Sequence, residues 1–129
     1  MAENREYISR VDELGNIHIS EDVLAVIAAA TTLEVEGVGS LAANLGKDIA
    51  ELLGKKNMSK GIRIHFEEEA VVVEISLLIK FGHSLMEVAK NVQEAVSAAV
   101  EATSGLTVEA VNVHVCGVSF EKEAKPVQL

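Results

Sequence analysis

Residues 62–80 carry the pattern that most narrows what this chain can become. Ile62, Ile64 and Phe66 alternate with Arg63, His65 and Glu67. After Glu68, Glu69 and Ala70, the row Val71, Val73, Ile75, Leu77 and Ile79 alternates with Val72, Glu74, Ser76, Leu78 and Lys80. Successive side chains of a strand point to opposite faces, so a period of two gives each run one apolar face. The gap between the runs is too short for a crossover, which leaves an antiparallel hairpin. A sheet with one apolar face must be covered by a second layer of structure.

Two helical stripes can form that layer. Ser20 suits an N-cap, and Glu21 and Asp22 put negative charge in the first turn. Val23, Leu24, Ile27, Ala28 and Thr31 follow at helical spacing, with an end expected near Glu34. Further on, Ser84 and Glu87 form a capping-box pair, and Leu85, Val88, Ala89, Val92, Val96, Ala99, Val100 and Thr103 make a longer stripe. Gly105 is the expected left-handed terminator. The alternating run Asn16-Ile17-His18-Ile19 predicts a strand before the first helix. A last strand is expected from about Thr107 to Phe120, with Val111, Val113 and Val115 facing in.

The order strand, helix, insert, strand, strand, helix, strand predicts an α+β two-layer sandwich, written βα-insert-ββαβ. Its sheet is four-stranded and mainly antiparallel, with two main helices on one face, in a ferredoxin-like or a K-homology-like arrangement. The second of these uses a further helix at residues 45–53, where Leu45, Ile49, Leu52 and Leu53 are spaced for one. Residues 1–14, charged and aperiodic, read as a flexible N-terminal arm. Residues 15–121 read as a single domain with a loop or short-helix insert at 37–61, and residues 122–129 as a frayed tail.

Composition bounds the function classes. The 129 residues amount to one domain, and 49% of them are hydrophobic, too many for a disordered chain. A net charge of −9 repels nucleic acid and anionic lipid as a whole. Tyr7, Phe66, Phe81 and Phe120 are the only aromatic residues, too few for a surface that stacks bases. Cys116 is the single cysteine, which excludes an intramolecular disulfide and fits a reducing compartment. The longest apolar run, residues 23–30, is far short of the ~20 residues of a spanning helix. The polar start MAENREYISR has no apolar signal core, so a cytoplasmic location is expected.

Candidate chemistry is sparse. His18, His65 and His114 each alternate with core positions. A first strand beside the last would bring His18 near His114 and Cys116, a conceivable but motif-poor metal set. A polar open sheet face explains the histidines more simply, and a buried, inert thiol explains Cys116. Glu67, Glu68 and Glu69 lack the alternating ligands of a calcium loop and read as a solvated turn. Gly37-Val38-Gly39-Ser40 follows a helix rather than a strand and lacks a Gly-Lys-Ser/Thr ending, so a hinge is expected rather than a phosphate cradle. No nucleophile elbow or paired carboxylates stand out, and neither an enzyme, a metal site nor a cofactor is expected. Two groups of residues point instead to partner contact. Lys47, Lys55, Lys56 and Lys60 concentrate positive charge in the insert. Val72, Leu78, Val118 and Phe120 share the expected open face with Glu74, Ser76, Asn112 and His114, a mixture suited to a homo-oligomer contact.

Several stretches in order resemble the alkaline shock protein family of Gram-positive bacteria, also called envelope stress response proteins. They are Gly15-Asn16-Ile17-His18-Ile19-Ser20, Glu34-Val35-Glu36-Gly37-Val38, Lys60-Gly61-Ile62, Val88-Ala89-Lys90-Asn91-Val92-Gln93-Glu94-Ala95-Val96, Thr103-Ser104-Gly105-Leu106, and the ending from Val111 to Phe120. The resemblance covers roughly residues 15–121. It implies a small cytoplasmic non-enzyme that acts as an adaptor or homeostasis factor for the cell envelope. It also implies a membrane-anchored protein partner, with no catalytic residues, no cofactor and no insertion into the membrane. A nucleic-acid-binding module of K-homology-like shape is the alternative. Glu34 and Glu36 beside Gly37-Val38-Gly39 oppose it, because that module needs a basic G-x-x-G loop.

Overall fold

A computed structural model of the chain describes residues 7–42 and 61–120. The elements are β1 (Tyr7–Asp12), β2 (Gly15–Ser20), α1 (Glu21–Leu33), β3 (Val38–Leu41), β4 (Ile62–Glu67), β5 (Ala70–Lys80), α2 (Leu85–Ser104) and β6 (Thr107–Ser119). The architecture is α+β in two layers, with both helices on one face of a four-stranded sheet.

β5 is the axis of that sheet. On one side it pairs antiparallel with β3 along its C-terminal part and with β4 along its N-terminal part. On the other side β6 runs parallel to it over its whole length, joined through α2 as a strand–helix–strand crossover. The period-two pattern of residues 62–80 is realised as expected: Val71, Val73, Ile75, Leu77 and Ile79 are fully buried, and their alternates are half-buried on the open face. From above, α2 contributes Val88, Val92, Val96 and Val100, one residue per turn, and α1 adds Leu24, Ala25, Ala28 and Ala29. Each large aliphatic side chain taken fully out of water contributes about 1.5–3 kcal/mol, so this double row dominates the stability of the domain.

The ends of α2 match their sequence signals. The Ser84 hydroxyl accepts the Glu87 N–H at 3.3 Å, and Gly105 adopts φ 78° with its N–H on the Glu101 carbonyl. At α1, Ser20 holds the N-cap position in extended conformation, but its side chain makes no capping bond. Val23 was expected to face the core and lies half exposed instead. α1 is apolar almost all the way round, so spacing alone does not choose which stripe turns inward.

Three further expectations are corrected. Residues 1–14 are not wholly a loose arm, because β1 forms within them and pairs with β2. β2 therefore sits in a separate two-stranded sheet instead of the main one. The fourth strand of the main sheet is β3, drawn from the stretch read as a hinge. Val38 is buried in the core there, and a bulge at Gly39 shifts the register. The expected helix at 45–53 lies outside the described residues.

Candidate interaction surface

The register of β6 decides which face each candidate occupies. Residues level with each other in a sheet share a face. Val72 pairs with Ala110, Glu74 with Asn112 and Ser76 with His114, all on the open side. Two bulges interrupt the ladder, one after Val108 and one after Val115. Past the second, Gly117 is level with Leu78 and Val118 is level with the core residue Ile79. Cys116 is the extra residue of that bulge, so it reverses the parity of everything after it.

The expected quartet is thereby split. Val72 and Leu78 stay on the open face, whereas Val118 turns to the helix side and Phe120 lies beyond the end of the ladder. Leu78 leans over Gly117, where an added Cβ would lie 3.0 Å from Leu78 Cδ2. At the same end, a Cβ on Gly39 would collide with the Ser119 side chain, so β3 and β6 approach each other across β5. The half-buried state of Leu78 is thus achieved within one chain. Phe120 stacks on Phe81 with centroids 5.1 Å apart, and both rings remain mostly exposed. Val115, Val118, Leu85 and Met86 are exposed as well.

The outer edge of β6 is divided in two. The Ser76 N–H and the Lys80 N–H bond toward the β3–β4 side, to the Gly61 and Gly37 carbonyls. The Phe81 N–H bonds the other way, to the Ser119 carbonyl. Odd-numbered β5 residues therefore bond to β6, and the β6 residues level with them turn their own amides outward. Those residues are Val108, Val111, Val113, Val115 and Val118. α2 caps the first two: Glu101 Oε2 accepts the Val108 N–H and Gln93 Nε2 donates to the Val111 carbonyl, each at 2.9 Å. Among the described residues, no such partner meets Val113, Val115 or Val118. This asymmetry was not legible in the sequence, since it requires knowing which turn of α2 lies beside which residue of β6.

The histidines are not gathered. β2 pairs with β1, so His18 is not brought beside His114 by a shared ladder. His65 faces Glu74 across β4 and β5 at 3.8 Å, an exposed pair. Cys116 is exposed, contrary to the buried thiol expected, because the bulge pushes it out of the ladder. Among the described residues, no group of three or more His, Cys, Asp and Glu is arranged to hold a metal ion. Glu67, Glu68 and Glu69 line a wide, open depression with Ala70, Thr107 and Glu109, and Glu68–Glu69 form the turn between β4 and β5. Lys47, Lys55, Lys56 and Lys60 lie outside the described residues.

Comparison with known proteins fits this two-layer domain to a family. Residues 9–120 match the alkaline shock protein 23 family, whose description is a cell envelope-related function. The chain belongs to that family. Bacillus subtilis YloU is 37% identical over 106 residues, spanning 81% of this chain and 88% of its own. Streptococcus pyogenes Spy1535 is 36% identical over 114 residues, spanning 88% of this chain and 86% of its own. Bacillus subtilis YqhY is 29% identical over 116 residues, spanning 90% of this chain and 86% of its own. All three carry the description "uncharacterized". Among solved structures, the MamM CTD resembles 74% of this chain with a TM-score of 0.46 and 14% identity. Among the described residues, no helix is long and apolar enough to cross a membrane.

Proposed function

We propose that this member of the alkaline shock family is a non-catalytic, cytoplasmic adaptor or homeostasis factor of the cell envelope. It acts through protein–protein contacts, including contacts with itself, and reaches the membrane through a membrane-anchored partner. The family's cell envelope-related description supports the setting. One observation carries the mode of action: the exposed Phe81–Phe120 stack beside an uncapped strand edge. Aromatic residues, Phe among them, are enriched at protein–protein interfaces relative to the rest of the surface.

A pull-down from Gram-positive cells tests this, with the wild-type chain and Phe120→Glu as parallel baits. The expected result is a membrane-anchored protein captured by the wild type and lost with Phe120→Glu, while the variant keeps its thermal midpoint. Capture of ribonucleoprotein that survives moderate salt would overturn the proposal in favour of a nucleic-acid module, because purely electrostatic capture fades as salt rises.

A further inference from the structure

We propose that the uncapped half of the β6 edge, residues 113–118, pairs antiparallel with the same stretch of a second copy. A twofold axis would then join two four-stranded sheets into one. The proposal rests on the view that the chain works through protein contacts, and it names one of those contacts.

Three observations converge on this stretch. The first is the hydrogen-bonding inventory. Gln93 bonds the outward carbonyl of Val111 and Glu101 the outward N–H of Val108, while neither outward group of Val113, Val115 or Val118 meets a side chain among the described residues. Unpaired edge groups are a template for another strand, and capping one half confines pairing to the other. The second is charge. From Ala110 to Phe120 the chain has no Asp, Glu, Lys or Arg, although the whole carries −9. A twofold contact lays a patch on itself, so an acidic patch would repel its own copy, whereas this one meets no like charge. A basic peptide would find no carboxylate on this stretch to prefer it, which favours a second copy as the occupant. The third is the side chains flanking the edge. Antiparallel pairing centred between Val115 and Cys116 sets Val113 of one copy level with Val118 of the other. Both lie on the helix side, and Val118 is 41% exposed in the single chain. All four helices then remain on one side of the continuous sheet.

Cys116 reports this register, because the axis passes beside it. Light scattering of the full chain should give twice the 13.7 kDa chain mass at micromolar concentration. A short bis-maleimide should link most of the protein into covalent dimers through Cys116. Val115→Pro withdraws an outward N–H and puts a ring in the pairing plane without removing a bond to β5, and it should yield monomer with an unchanged circular dichroism spectrum. Should that variant fail to fold, Cys116→Lys sets two like charges beside the axis at an exposed position and should likewise yield monomer. A monomeric wild type, or a dimer that neither cross-links nor responds to Cys116→Lys, overturns the pairing. A monomer that still captures its membrane protein would refute the edge contact alone and leave the adaptor function standing.

Discussion

The two hairpins of this domain are built alike and fare differently. β1–β2 and β4–β5 both pair antiparallel, and both turn through two residues, Glu13–Leu14 in one and Glu68–Glu69 in the other. In β4–β5, Ile64, Val73 and Ile75 lie under the helices and are buried. In the turn and second strand of β1–β2, Leu14 is 97% exposed and Ile17 is 51% exposed, whereas Ile19 packs against the core. Alternation makes a strand, but only an opposing layer makes a core. A two-stranded hairpin is marginal in water by itself, and among the described residues β2 gains support from α1, which it contacts.

Substitutions can break or sharpen this contrast. Ile75→Ala, which leaves a cavity in the fully buried row of β5, should cost about 2–5 kcal/mol in denaturant unfolding. A loss below about 1 kcal/mol would mean that β5 is not the sheet's central axis. Glu68→Gly acts on the turn instead of the core. Glu68 is the one non-glycine with positive φ among the described residues, at 58°, and relieving it should add up to about 1 kcal/mol of stability, read as a raised thermal midpoint. The smallest effect is expected from Ile17→Ala at a half-exposed position of β2, within about 0.5 kcal/mol of the wild type. A larger loss measured in dilute solution would show that something covers β2 there.

Much of the layer structure was legible because periodicity is a local property. The buried rows of β5 and α2, the Ser84 cap and the Gly105 terminator were all readable from spacing and residue type. Pairing partners were not. Asn16-Ile17-His18-Ile19 reads as a strand, but nothing local distinguishes a place in the main sheet from a place beside β1. β3 was hidden because four residues with a glycine inside give no alternation to count. The contact surface failed at a single residue. Counting by twos from Val111 keeps Val118 on the open face, and the bulge at Cys116 reverses that count, which only a neighbouring strand reveals. Phe81, left out of the candidate set, belonged with Phe120 on the strength of its place one residue past β5.

The tie at Ser76 has a consequence for how the domain accommodates change. The chain leaves the sheet at Ala42, whose N–H bonds the Ser76 carbonyl, and re-enters at Gly61, whose carbonyl accepts the Ser76 N–H, both at 2.8 Å. Departure and return are thus both fastened to a single residue of β5, one through its carbonyl and the other through its N–H. A shift of β5 by one residue would therefore unfasten the end of β3 and the start of β4 together.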